Sequence, residues 1–218
     1  MKRGSMVIVV VLAVAAVVGL SPRSHAEDAG AAAQRARIAE LFESSFSHEA
    51  TNNYAKALAD VQQIVQLAPQ HYVANLRLGW LSYQKQRYDE SVAAYTKAAE
   101  LAPRALEPQL GMMLPLMAGK KWTSAERIGR AVLAVAPRNY LASSRLAYIA
   151  FSQGKFKEAE ALYRQVLEDY PGDLEMQLGL GWTLLRLGRR EEARATFAEV
   201  LGVSRQNASA KAGLEALK

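Results

Sequence analysis

Four prolines recur at a fixed spacing of 34 positions; they are Pro69, Pro103, Pro137 and Pro171. The segment from Tyr72 to Pro103 contains two amphipathic stretches joined by a short turn at Gln86–Arg87, and the same pattern returns one period earlier and one period later. Because proline lacks the N–H that a helix interior needs, each proline marks the end of the second helix of a unit. A single helix pair cannot bury its apolar face alone, so this period predicts a stacked repeat array.

Equivalent positions of the copies resemble the tetratricopeptide repeat (TPR) family. The copies start at Ile38, Tyr72, Leu106, Tyr140 and Leu174. An aromatic residue opens the second helix (helix B) of four copies, and Arg190 departs from it in the fifth; these positions are Tyr54, Tyr88, Trp122, Phe156 and Arg190. A small residue follows three positions later, as Ala57, Ser91, Ala125, Ala159 and Ala193. The resemblance implies an all-α fold, a right-handed α-solenoid of about five helix-turn-helix repeats.

The repeats define the expected domain organisation. Residues 1–26 are expected to form a signal peptide and residues 27–37 an N-terminal helical extension. The five repeats cover 38–71, 72–105, 106–139, 140–173 and 174–205, and residues 206–218 form a capping helix with Leu214 and Leu217 facing inward.

The N-terminus has the features of an export signal. Lys2 and Arg3 precede an uncharged apolar run of 15 residues, Met6 to Leu20, which is shorter than the roughly 20 residues of a comfortable membrane span. Ser24-His25-Ala26 then offers small residues at the positions that a signal peptidase inspects. Cleavage is expected after Ala26, which places the protein in the periplasm of a Gram-negative bacterium or outside the cell. An uncleaved membrane anchor is the alternative.

Composition argues against several classes of function. The chain has no cysteine, which excludes disulfides and thiolate chemistry. Its net charge of +6 falls to +3 without the three cations of the signal, too little to indicate a nucleic-acid partner. His48 and His71 are isolated, and the acids at helix B starts favour the positive end of the helix. We therefore expect neither catalysis nor a metal or other cofactor.

In the TPR family the first helix (helix A) of each repeat lines the concave face, and its ninth position points into the groove. By this resemblance the groove is lined by Phe46, Trp80, Leu114, Tyr148 and Trp182. Three positions later stand Tyr83, Met117, Phe151 and Leu185, and four positions earlier stand Phe42, Leu76, Leu110 and Leu178. These rows predict an apolar, aromatic-rich binding surface. Packing of some of these side chains between repeats is the structural alternative.

Two arginines, Arg77 and Arg145, occupy the sixth position of repeats two and four. They are candidates to hydrogen-bond a partner's carboxylates or backbone carbonyls; the alternatives are ion pairs within the array or plain solvation of the two side chains. The TPR pocket that grips a C-terminal carboxylate in chaperone adaptors needs Lys and Asn at positions five and nine. Leu76 and Trp80 stand there, so that function is not expected.

Repeats two and four open alike, and so do repeats three and five, which suggests a working unit of two repeats that is used twice. Ancestral duplication without functional meaning explains the same pattern.

The predicted function is that of a non-enzymatic, exported scaffold or adaptor that binds a protein or peptide in its concave groove. Its expected setting is envelope assembly, secretion or surface-polymer export, by analogy with exported members of the family. The alternative is a self-assembling structural protein whose groove accepts another copy.

Overall fold

The computed structural model describes residues 22–218, with side chains from residue 28 onward. Within that range the chain forms helices and no strand, which confirms the all-α prediction. The helices are α1 (Pro22–Ala50), α2 (Tyr54–Leu67), α3 (Tyr72–Gln84), α4 (Tyr88–Leu101), α5 (Glu107–Ala118), α6 (Trp122–Val135), α7 (Tyr140–Ser152), α8 (Phe156–Asp169), α9 (Leu174–Arg186), α10 (Arg190–Val203) and α11 (Ala208–Glu215). The apolar run from Met6 to Leu20 lies outside the described residues.

Each B helix begins at the residue that the repeat alignment puts first, from Tyr54 in α2 to Arg190 in α10. The turn between helix A and helix B has one residue with positive φ in every repeat, always at position fifteen. These residues are Asn52, Gln86, Lys120, Gly154 and Gly188. Only two are glycine, the residue that adopts this conformation without strain, so the other three turns carry a local cost.

Most A helices begin with a side-chain cap. Asn139 accepts a hydrogen bond from the Ala142 N–H at 3.0 Å, and Asn207 accepts one from the Ala210 N–H at 2.9 Å. Asp173 accepts from two backbone donors of α9, and His71 accepts from the Ala74 N–H. These caps satisfy backbone N–H groups that the first turn of a helix leaves without partners.

The compact unit from Leu41 to Lys218 is an α-solenoid in which consecutive helices pack against each other. The A helices of neighbouring repeats also pack closely against each other. Neighbouring B helices lie further apart and meet through long polar side chains, as where Gln62 donates to Glu90 at 2.8 Å and Arg130 pairs with Glu158. The A helices therefore lie on the inner side of a curved array. Its core is built from the small residues and the bulky residues that fill the space beside them, such as Ala159 and Phe197, both completely buried.

The other unit is N-terminal and ends at Glu40; its described part is the beginning of α1. This helix starts at Pro22, earlier than the helical extension that was expected from residue 27. The predicted cleavage site after Ala26 thus falls inside a helix. Side chains 28–37 are exposed, and Arg37 forms an ion pair with Glu40 at 3.2 Å.

Candidate partner-binding groove

The A helices α1, α3, α5, α7 and α9 carry the predicted groove residues. Phe46 and Tyr148 are the most exposed of them, at 52% and 50% of their surface. The remaining members are partly buried; they are Leu76, Arg77, Trp80, Tyr83, Leu114, Met117, Arg145, Phe151, Trp182 and Leu185. The predicted set therefore divides into open and half-covered positions.

Two pockets lie along the inner, A-helix side. The first has a volume of about 310 Å³ and is lined by Leu76, Arg77, Trp80, Tyr95 and Glu107. The second has a volume of about 440 Å³ and is lined by Met117, Ser144, Arg145, Tyr148, Tyr163, Glu175, Met176, Leu178, Gly179 and Ser209. Each pocket brings together some of the predicted groove residues with residues that were not predicted to line the groove.

Arg77 is held by the repeat before it. Its Nη2 donates to Glu49 Oε2 at 2.8 Å and to Ser45 Oγ at 3.0 Å, and its guanidinium carbon lies 3.7 Å from the centre of the Phe46 ring. The other oxygen of Glu49 accepts a hydrogen bond from Trp80 Nε1 at 2.8 Å. The arginine of the first pocket is therefore already paired with a carboxylate of the preceding repeat.

Arg145 makes a different set of contacts. Its Nη1 donates to the carbonyl oxygen of Leu110. No carboxylate of the described residues lies within ion-pair distance of it, and the groups that act on its charge are Tyr95 and Tyr83. Removal from water lowers the pKa of the Arg145 guanidinium below its ordinary value.

Several predicted groove residues pack within the array. Trp182 lies edge-on against Phe197, with ring centres 5.3 Å apart, and its Nε1 donates to Ser209 Oγ at 2.9 Å. Phe151 packs edge-on against Phe156, and Leu185 packs against the same core cluster as Trp182. Trp182 thus joins repeat five to the capping helix.

The remaining predicted aromatics contact neighbouring rings while keeping one side open. Tyr148 lies edge-on to Trp122 at 6.2 Å, and Tyr83 lies between Trp80 and Tyr88 at about 6 Å from each. Met117 lines the second pocket, and Leu114 is half-buried on the same helix.

The groove also contains residues that the family positions did not suggest. Tyr95 and Tyr163 are B-helix residues whose rings reach the two pockets. Both rings lie against a glycine of the next A helix, Gly111 for Tyr95 and Gly179 for Tyr163. The signal for this was available: wherever helix B has an aromatic at position 24, the next helix A has glycine at position six.

Two tyrosines at the start of α3 and α7 bond to acids of the following repeat. Tyr72 Oη donates to Glu107 and Tyr140 Oη donates to Asp173, each at 2.6 Å. Burial, followed by the Glu107 hydrogen bond, raises the pKa of Tyr72 to about 12. The Asp173 hydrogen bond, followed by burial, raises the pKa of Tyr140 to about 12. Each tyrosine can donate its hydrogen bond only while its phenol is protonated.

The described residues 28–218 contain no group of three or more His, Asp or Glu side chains that could hold a metal ion. In residues 22–218, no helix combines the length and the apolar character that a membrane crossing requires.

Stacked helix pairs with a period of 34 positions, with A helices inside and small residues where helices touch, define an α-solenoid repeat protein. Residues 47–105 and 116–174 match one tetratricopeptide repeat pattern, and residues 150–217 match a second. The chain belongs to the tetratricopeptide repeat family.

The chain is also similar to several known proteins and structures. The chain is 27% identical to the CTR9 homolog of Arabidopsis thaliana over 132 residues, which are 60% of this chain and 12% of that protein. It superimposes on a TPR protein from Parabacteroides merdae with a TM-score of 0.74 and 15% identity, over 83% of this chain and 72% of the other. It superimposes on YrrB, a TPR protein with an unusual peptide-binding site, with a TM-score of 0.66 and 16% identity, over 80% of this chain and 90% of the other. These likenesses concern the fold.

Proposed function

We propose that this TPR protein is a non-enzymatic scaffold that binds a peptide segment of another protein along the inner face of its A helices. The observation that carries the proposal is the pocket of about 440 Å³ beside the half-exposed ring of Tyr148, where Met117 and Arg145 also lie. Apolar walls with a few polar groups are typical of sites that bind peptides through side-chain anchors. YrrB, a TPR protein of the same fold, has a peptide-binding site of its own.

Tyr148 is the natural anchor of this site. Half of its surface is open to solvent while its edge is fixed against Trp122, so it can cover a partner's side chain without losing much conformational freedom. Phe46 offers a second open ring, which lies under Arg77. Both rings belong to position nine, so an extended or helical peptide can meet them in turn.

The test is selection of short peptides from a displayed library on the purified protein, followed by affinity measurement with fluorescent peptides whose ends are blocked. Tyr148→Ala should weaken the selected peptides at least tenfold, which is about 1.4 kcal/mol. The matched control is Tyr170→Ala, because Tyr170 is 46% exposed and lines neither groove pocket. Equal affinity of the wild type and Tyr148→Ala for the selected peptides would show that the groove is not the binding site.

A second copy is the other occupant that the groove could accept. Sedimentation velocity at increasing protein concentration separates the two cases. A sedimentation coefficient that rises with concentration in the wild type, but not in Tyr148→Ala, would assign the groove to self-assembly instead of a foreign peptide.

We further propose that the protein acts after export, in the periplasm, in envelope assembly, secretion or surface-polymer export. This proposal is supported by the sequence of the N-terminus, where a charged start, an apolar run and Ser24-His25-Ala26 follow each other in the order typical of an export signal. N-terminal sequencing of protein from the native host should find Glu27 as the first residue. Intact Met1 on membrane-bound material would replace this proposal with that of an anchored protein.

A further inference from the structure

The two groove pockets are copies of each other, two repeats apart. Every residue that lines the first pocket has its counterpart, 68 positions later, in the lining of the second. The pairs are Leu76 and Ser144, Arg77 and Arg145, Trp80 and Tyr148, Tyr95 and Tyr163, and Glu107 and Glu175. The double repeat therefore produces two versions of one site, and their differences can be compared position by position.

The first version is closed by the protein's own carboxylate. Glu49 joins Arg77 Nη2 and Trp80 Nε1 with its two oxygens, at 2.8 Å each. Ser45 adds a hydroxyl oxygen to Arg77, and the Phe46 ring covers one face of the guanidinium. Only 12% of the Arg77 side chain remains exposed. This arrangement is a direct example of how a glutamate side chain binds at this kind of pocket.

The second version lacks all three of these partners. The residues 68 positions after Ser45, Phe46 and Glu49 are Met113, Leu114 and Met117. A hydroxyl, an aromatic face and a carboxylate are thus replaced by apolar side chains. Arg145 is left with the Leu110 carbonyl oxygen, and among the described residues no carboxylate lies within ion-pair distance of it.

A guanidinium in apolar surroundings without a counter-charge is an incomplete ion pair, since a charge removed from water requires an opposite charge or several acceptors. One acid, Glu175, does line this pocket, but it forms no ion pair with Arg145. The carboxylate position next to Arg145 remains without an acid of this chain.

We propose that the pocket at Arg145 binds an aspartate or glutamate side chain of the partner, flanked by apolar residues, in the position that Glu49 takes at Arg77. The carboxylate accepts hydrogen bonds from Arg145, and its apolar neighbours contact Met117, Met176 and Leu178. This inference rests on the proposed function, because it assumes a peptide in the groove. It makes repeats three to five, and not repeats one and two, the acid-recognising part of the array.

The first experiment uses a small probe, so that it is independent of any selected peptide. Phenylacetate combines a carboxylate with an apolar ring, and phenylacetamide has the same shape without the charge. NMR titration of arginine Nε–Hε signals should show saturable shifts at Arg145 with phenylacetate and at least tenfold weaker binding of phenylacetamide. Equal effects of the two probes, or shifts spread over other surface arginines only, would overturn the inference.

The sharpest variant is Met117→Glu, which restores in repeat three the carboxylate that repeat one has at Glu49. It should pair with Arg145, raise the melting temperature and abolish phenylacetate binding. Met117→Gln has the same size without the charge and should keep binding within about threefold. Arg145→Gln should abolish binding, whereas Arg77→Gln should not. Full phenylacetate binding in folded Met117→Glu would contradict the proposal.

Blocked peptides from the displayed library separate this inference from the proposed function. The selected sequences should be enriched in Asp or Glu beside apolar residues. Changing that acid to its amide should cost at least tenfold in affinity for the wild type and little for Arg145→Gln. Peptides that bind through Tyr148 without an acid preference would overturn this inference and leave the proposed function intact. Peptides that need a free C-terminal carboxylate would also overturn it.

Discussion

The Tyr95 ring lies directly over Gly111 of the next repeat, so closely that a Cβ added at Gly111 would collide with the ring. The same ring contacts Gly79 of its own repeat, where an added Cβ would lie 2.8 Å from ring carbons. Tyr95 therefore fills the gap between two A helices, and the two glycines provide the space. Glycine is present here because no larger residue fits.

Gly111→Ala should overpack this junction and destabilise the protein by about 1–3 kcal/mol, because the ring cannot move without displacing its neighbours. Combined with Tyr95→Leu, the cost should be smaller than the sum of the two single changes, because the smaller side chain leaves room for the methyl group. Urea unfolding of the three variants measures both effects. Strict additivity would show that the two residues do not share one space.

This contact explains the double repeat in packing terms. At three of the junctions between helix B of one repeat and helix A of the next, an aromatic residue at position 24 of helix B faces a glycine at position six of helix A. These pairs are Tyr95 with Gly111, Tyr163 with Gly179, and Phe197 with Gly213. In the other two junctions a smaller residue precedes arginine, as Val61 before Arg77 and Gly129 before Arg145. Each junction thus contains one large side chain. Helix B contributes it in the three junctions with glycine, and helix A contributes it in the two junctions with arginine.

Ala159 tests the packing between helices A and B of repeat four. It is completely buried, so Ala159→Leu should destabilise the protein by about 1–3 kcal/mol. Ala161→Leu makes the same change on the exposed side of α8 and should stay within about 0.5 kcal/mol of the wild type. Equal melting temperatures for the two variants would mean that α8 does not present Ala159 to its partner helix.

The turns between helices A and B offer a stabilising substitution. Lys120 has a φ of 57°, a conformation that costs a residue with a Cβ about 1–2 kcal/mol. Lys120→Gly removes this strain but makes the unfolded chain more flexible, which favours unfolding. The unfolding free energy should still rise by about 0.5–1 kcal/mol, because the strain is the larger of the two effects. Gly188→Ala, at the equivalent position with a φ of 77°, should lower it by a similar amount. Thermal unfolding measures both changes, and a loss of stability in Lys120→Gly would show that this turn is not strained.

The sequence predicted the parts of this structure that depend on local chemistry. Helix starts, prolines and small residues repeat at a fixed period, and they were sufficient for the all-α solenoid. The fate of the two arginines could not be predicted in the same way. Whether Arg77 reaches Glu49 in the preceding repeat depends on the rotation between stacked repeats, which no single motif specifies.

Trp182 shows the same limit. Its position-nine placement predicted an open groove ring, as at Tyr148, yet the capping helix beside it provides Ser209 as a hydrogen-bond partner. That difference arises from the helix after repeat five and not from the repeat pattern itself. The pairing of aromatics with glycines, in contrast, was present in the sequence and results from volume alone.

Alkaline pH should weaken the array through Tyr140. The unfolded phenol loses its proton near pH 10, whereas the native one keeps it to about 12. The native state thus binds more protons in that interval, so the Tyr140 contribution is complete below about pH 10 and disappears towards pH 12. Tyr140→Phe keeps the ring against Tyr170 and should reduce the fall in unfolding free energy over this interval. The same slope in both proteins would exclude the Asp173 hydrogen bond as its cause.

Trp182 and Tyr148 occupy the same position of their repeats but should respond differently to truncation. Trp182 packs edge-on against Phe197 and bonds to the capping helix, so Trp182→Ala should cost roughly 3 kcal/mol of stability. Tyr148 is half exposed, so Tyr148→Ala should cost about 1 kcal/mol or less. Urea unfolding followed by circular dichroism measures both values. If Tyr148→Ala also unfolds the array, its ring belongs to the core, and loss of peptide binding in that variant would report on folding instead of recognition. If Tyr148→Ala leaves stability unchanged while Trp182→Ala lowers it, the open anchor at Tyr148 and the packed junction at Trp182 are separate functions of one repeat position.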